Sequence, residues 1–186
     1  IKEAYKYIDK LQLTNLKKSI KRIRDFSKKQ KSVSWTSKKD GSLLGEKVTP
    51  IETVGIYVPA GKASYPSTVL MNAIPAKIAG VKNIVMACPI SNIEDHALAI
   101  VAADLCGVDT ILRMGGAHAI AALAYGTKSI GKVDKIVGPG NIYVTLAKKA
   151  VFGDVGIDNI AGPSEVVIIA DSSNNPDWIA MDLFSQ

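Results

Sequence analysis

From residue 50 onward, short apolar runs alternate with longer, alanine-rich amphipathic stretches. The runs at 54–58, 83–88, 109–113 and 135–137 read as strands, and 165–170, Glu-Val-Val-Ile-Ile-Ala, reads as the clearest strand of all. Between them 67–79, 94–106, 116–125 and 141–152 read as helices, and another helix begins at Pro176. Ser67 is placed to cap the first of these, Gly80 and Gly107 to stop the first two, and Asn175 to cap the last, with Pro176 in its first turn. Pro75 falls inside the first helix and is expected to kink or shorten it. A weaker extended piece lies at 156–160. This alternation predicts an α/β fold, a parallel sheet covered by helices. Before residue 50 the pattern differs. Leu16, Ile20, Ile23 and Phe26 recur at helical spacing among lysines and arginines, and Lys39-Asp40-Gly41-Ser42 is a hairpin turn signal.

Composition agrees with a folded chain: of 186 residues, 47% are apolar and 22% charged, enough to build a core. The net charge of +6 divides unevenly. Residues 1–50 hold 14 Lys/Arg against 5 Asp/Glu, or +9, and residues 51–186 hold 9 against 12, or −3. A basic helix suits phosphates or an anionic membrane, but neither aromatic interleaving nor a nucleic-acid motif accompanies this one. A solvated face is therefore expected, with no nucleic acid and no membrane as partner. No run of 18 apolar residues and no signal-peptide layout occurs, and Cys88 and Cys106 form neither a disulfide framework nor a ligand spacing, which points to the cytoplasm.

In parallel sheets ligands bind beyond the carboxyl ends of the strands. Three glycine-bearing loops fall there: 57–61, 114–118 and 138–141. Glycine admits a close ligand, and a helix N-terminus behind each loop suits a diphosphate, so a dinucleotide is the natural candidate. Tight turns need glycine too, and from pattern alone both readings stand equally. Gly138-x-Gly140 continues to Tyr143 where the Rossmann fingerprint wants a third glycine or alanine; Asp158 is the acid about 20 residues on, with no clear strand ending before it. His96 reads as a solvated helical histidine without a metal partner. His118, in the first turn of a helix at a glycine loop, suits a ligand, a cap or packing alike. Cys106 reads as a buried helix end; Cys88 has no adjacent cation to activate it. Ser164 has no nucleophile elbow around it, so it reads as a hydroxyl that hydrogen-bonds a substrate or as an ordinary turn residue.

Together, 54–61, 66–71, 115–127, 133–141 and 161–165 resemble the histidinol dehydrogenase family, in order and without large gaps from about Trp35 to Gln186. The resemblance implies two incomplete Rossmann-like domains, with the NAD-binding one at 54–164 inserted between parts of the other, 1–53 and 165–186. It implies a zinc- and NAD-dependent, cytoplasmic homodimer that oxidises L-histidinol to L-histidine through the aldehyde, the last step of histidine biosynthesis. Tyr57, His118 and Asn141 match cofactor-contacting positions, with His118 standing where the family usually has glutamine. Ser164 matches a substrate contact, and Gln186 a residue that ligates zinc and touches substrate. The matching second zinc ligand, the Glu-His acid/base pair and the remaining ligands would follow Gln186. With Ile1 first and Gln186 last, the expectation is an interior, inactive slice of the enzyme. Two other classes remain. A nucleotide- or anion-binding module without catalysis predicts salt-sensitive polyanion binding, and a cysteine-dependent aldehyde dehydrogenase-like enzyme requires a reactive Cys88 or Cys106.

Overall fold

A computed structural model describes residues 1–60, 64–160 and 165–184. Helix α1, Lys10–Lys29, opens with a capping box in which Asp9 accepts from the Gln12 amide and the Gln12 side chain accepts from the Asp9 amide. Its buried stripe is Leu16, Ile20 and Ser27, with Ile23 partly covered. Phe26, expected on that stripe, is 64% exposed. Six positions after Ile20 a side chain has rotated about 120° away, whereas Ser27 returns to the same face. Strands β1, Trp35–Lys39, and β2, Ser42–Glu46, form the expected hairpin, and Asp40 and Gly41 take positive φ at its two-residue turn.

The remaining elements are β3 (Thr53–Tyr57), α2 (Pro66–Ala79), β4 (Asn83–Ala87), α3 (Ala97–Cys106), β5 (Thr110–Leu112), α4 (Gly116–Tyr125), β6 (Lys135–Val137), α5 (Ile142–Val151), β7 (Gly156–Ile157) and α6 (Pro176–Phe184). The five strands from β3 to β7 make one parallel sheet in the order β5-β4-β3-β6-β7. The chain thus starts in the middle, steps outward through β4 and β5, returns to the other side of β3 and continues to β7. This reversal makes the gap between β3 and β6 a topological switch point.

Alternation along the strands divides the core in two. Val54, Ile56, Val58, Ile84 and Met86 face α1, α2 and α3, while Tyr57, Ala87 and Ile136 join residues of α4 and α5 such as Ile120, Leu123 and Val144. Carboxylates pin the strand starts. Asp134, before β6, accepts from the Glu52 and Thr53 amides at 3.0 and 2.8 Å, and Asp109, before β5, accepts from the Ile84 amide at 2.8 Å.

Four expectations about elements change. Ser67 is not a cap: α2 begins at Pro66, whose fixed φ already suits a helix and whose missing N–H costs nothing at its first position. Pro75 does not shorten α2, which continues to Ala79; the carbonyl deprived of its donor belongs to exposed Met71, within reach of water. Residues 165–170 are not a strand, and Val167 and Ile169 are 87% and 96% exposed. Apolar, β-branched residues favour extension, but a strand exists only where another supplies its hydrogen bonds, and among the described residues none pairs with this segment. Helix α3 also starts three residues later than expected, after a turn at 93–96. Asn175 accepts from the Asp177 amide at 2.9 Å at the start of α6, as expected of a cap.

Candidate functional site

The three glycine loops meet through Tyr57. This residue ends β3, is buried, and its hydroxyl accepts from the Gly116 amide at 3.0 Å, tying the end of the central strand to the N-terminus of α4. Gly115, the cap position of α4, packs so closely on Pro89 that a Cβ there would stand 2.7 Å from the ring. On the other side, Gly138 follows β6 with φ +107°, and a Cβ on it would stand 2.1 Å from the Tyr57 carbonyl oxygen. Only glycine permits that approach. The carboxyl ends of β3 and β6 and the start of α4 therefore line one crevice at the switch point.

Asn141 caps α5, its Oδ1 accepting from the Val144 amide at 3.1 Å. The residue is exposed, so its Nδ2 is a donor at the crevice rim. His118 is the third residue of α4 and also exposed, where its imidazole can donate and accept. Tyr57 and Asn141 are thus positioned by the two strands that flank the switch point, and His118 by the helix that Tyr57 holds. Ser164 and Gln186 lie outside the described residues.

His96 and Asp158 stand differently from what the sequence pattern predicts. His96 is 3% exposed rather than solvated: the turn at 93–96 folds it inward at the start of α3, with Nε2 3.4 Å from the Ser91 hydroxyl and Nδ1 buried without a partner among the described residues. Asp158 does follow a strand, β7, but both of its carboxylate oxygens are bonded within the protein. One oxygen pairs with Lys148 and accepts from the Asn159 amide, and the other accepts from the Gly138 amide at 2.8 Å. Lys148 is 2% exposed and also donates to the Gly138 carbonyl at 2.9 Å. Sequence reasoning passed over Lys148, although a signal was present: it stands between Val144 and Val151 on the buried face of α5.

Both cysteines are buried, and desolvation pushes their thiols up to about 11. A buried neutral thiol is a poor nucleophile. We expect iodoacetamide to leave Cys88 and Cys106 of the native protein unlabelled over a time in which both react in denaturant; rapid native labelling would restore a cysteine-dependent mechanism. Unfolded thiols ionise near 9.0. Stability from their burial is therefore complete below that pH and declines as pH rises toward 11.

A groove of about 560 Å³, lined among others by Pro50, Val54, Met71, Pro75, Lys135 and Val137, lies beside α2. Among the described residues no group of three or more His, Cys, Asp or Glu could hold a metal, and no helix is long and apolar enough to cross a membrane.

Comparison with known proteins gives the site its context. The family model described as histidinol dehydrogenase matches residues 1–186. Histidinol dehydrogenase of Methylococcus capsulatus is 55% identical over 187 residues, covering 100% of this chain and 43% of the relative. That of Pseudomonas syringae pv. syringae is 59% identical over 172 residues, covering 92% and 38%. The crystal structure of histidinol dehydrogenase from Elizabethkingia anophelis superposes with a TM-score of 0.92 at 38% identity, covering 99% of this chain and 43% of that one. The chain therefore spans about two fifths of the length of these relatives.

Proposed function

The chain belongs to the histidinol dehydrogenase family, and on that premise we propose that it is part of an enzyme that oxidises L-histidinol to L-histidine through the aldehyde, the closing step of histidine biosynthesis. The observation that carries the local assignment is the crevice between β3 and β6, where Gly138 lies against the Tyr57 carbonyl and the N-termini of α4 and α5 open. These features fit NAD: Gly116, with nothing within 4 Å of its Cβ position, admits a ligand close to the backbone, and helix N-termini suit its diphosphate. NAD, when bound, accepts the hydride in each of two oxidations.

The chain's own residues bind and orient. Asn141 offers Nδ2 to the cofactor while its Oδ1 holds α5, Tyr57 fixes the start of α4, and His118 presents an imidazole in place of a side-chain amide. Ser164 and Gln186 would face the substrate. Among the described residues no cluster of three or more His, Cys, Asp or Glu could hold zinc; in this reading Gln186 is one of its ligands. The same reading takes 54–164 as the NAD-binding domain, 1–53 and 165–186 as parts of its neighbour, and the whole as a cytoplasmic homodimer.

The test is histidinol-dependent NADH formation by the full-length protein supplied with zinc. Two NADH per L-histidinol are expected, and none at all overturns the proposal. The 186 residues alone are expected to turn over nothing and to bind NAD weakly. Asn141→Asp separates the two roles of that side chain. Aspartate caps as well as asparagine, so stability should stay within about 0.5 kcal/mol. Loss of the Nδ2 donor should raise the KM for NAD about tenfold. An unchanged KM removes Asn141 from the cofactor site.

A further inference from the structure

Buried Lys148 and the more accessible Asp158, paired behind the crevice, take no part in that chemistry. Lys148 projects from the second turn of α5 into the protein, back toward the loop that precedes its own helix. There it donates to the carbonyl of Gly138 at 2.9 Å, while its counter-ion Asp158 accepts from the amide of the same residue at 2.8 Å. Both polar groups of one peptide residue are thus gripped by one ion pair. Gly138 is the first residue beyond β6, where the β6–β7 ladder, Lys135 with Gly156 and Ile136 with Ile157, has ended. Three residues later the loop is held again, by the Asn141 cap.

Burying an ammonium with 2% exposure is expensive, and a well-packed apolar pair commonly serves stability as well or better. What an apolar pair cannot do is set the direction of two backbone groups. We propose that Lys148 and Asp158 are positioning residues that set the 138–141 loop for the dinucleotide, Asp158 acting on the cofactor through Gly138 rather than as a ligand of its ribose. This rests on the proposed function above, since it takes the loop to be the NAD site. It also accounts for an acid at the end of β7, where a ribose ligand is usual, with both oxygens already bonded within the protein.

The experiment uses the full-length protein and four variants: Lys148→Met, Asp158→Asn, the two combined, and Lys148→Arg. NAD affinity is measured by calorimetric titration, KM for NAD and for L-histidinol by steady-state kinetics, and stability by thermal denaturation. Lys148→Met should raise the Kd and KM for NAD about tenfold or more, with kcat at saturating NAD and KM for L-histidinol within about threefold. The combined variant leaves neither charge buried alone, so its Tm should recover toward the parent value while the KM for NAD stays high. Lys148→Arg, which keeps the charge, should bind NAD better than Lys148→Met. Asp158→Asn should weaken NAD and NADP in parallel.

A combined variant of parental NAD affinity overturns the proposal. So does a rise in both KM values that tracks loss of Tm across the set, which marks a structural role only, or an Asp158→Asn variant that gains NADP relative to NAD, which marks a ribose ligand. Should Lys148→Met not fold, the combined variant and Lys148→Arg give the same readings, and parental NAD affinity in both overturns the proposal. A parent that binds NAD but forms no NADH with L-histidinol defeats the enzymatic reading while leaving the pair to be judged by NAD titration. A parent that binds no NAD defeats both.

Discussion

Replacing Gly138 with alanine is expected to cost more stability than any other single methyl group added at the crevice, and to weaken NAD binding with it. Two penalties coincide at this position. Its φ of +107° lies where an L side chain is strained, at about 1–3 kcal/mol. The new Cβ would also stand 2.1 Å from the Tyr57 oxygen and 3.1 Å from its carbonyl carbon. These are backbone atoms of the central strand and cannot rotate aside as a side chain can, so overpacking adds about 1–3 kcal/mol. The sum, roughly 2–6 kcal/mol, is a large part of the 5–15 kcal/mol that holds a typical domain folded. Relief by separating the ends of β3 and β6 would widen the crevice, so surviving protein should bind NAD less well. Gly153 supplies an internal control, having the same φ of +107° with nothing within 4 Å of its Cβ position. Urea denaturation of the two alanine variants measures the difference. If Gly138→Ala costs no more than Gly153→Ala, the close approach to Tyr57 is not there.

That approach also marks what the sequence could and could not disclose. The glycines at 138 and 140 stood out because a strand, a turn and a helix start follow one another locally, and β6 and α4 appear with their expected bounds. Which strand lies beside β6 is a different matter. Alternation of strands and helices is compatible with several sheet orders, so the pairing of β6 with β3, and hence the crevice, came only from the fold. The segment 165–170 shows the opposite error. Its composition is more strand-like than that of β7, yet among the described residues β7 is paired and the segment is not, because hydrogen-bonding partners and not propensity decide.

The site residues divide in the same way. Tyr57, His118 and Asn141 are candidates from motif resemblance alone, and they stand at the end of β3 and at the starts of α4 and α5. Lys148 and Asp158 were not connected, since their contact depends on a two-residue strand beside β6 that periodicity cannot detect. His96 was misread because its burial comes from a turn folding over it, not from the helix on which it was expected to stand.

Leu123→Ala is the second large effect, expected at about 2–5 kcal/mol of stability, and its cause can be isolated with a partner mutation. Leu123 is fully buried under the central strand, where Gly55 faces it. A Cβ on Gly55 would stand 3.1 Å from Leu123 Cδ1 and 3.2 Å from Val133 Cγ2, tighter than ordinary packing. Gly55 pairs with both Val85 and Ile136, so the strand cannot move away without disturbing two ladders. Gly55→Ala alone should therefore destabilise by about 1–3 kcal/mol through overpacking, despite the reduced freedom of its unfolded chain. With Leu123 already shortened, the added methyl enters vacated space instead of a filled one. The double variant should then lose less than the two single losses combined, by about 1–2 kcal/mol. Chemical denaturation of the four proteins in this cycle reads that coupling directly. Additive losses would mean that Leu123 and Gly55 do not share the contact, and that the α4 face of the sheet is packed differently from the arrangement described.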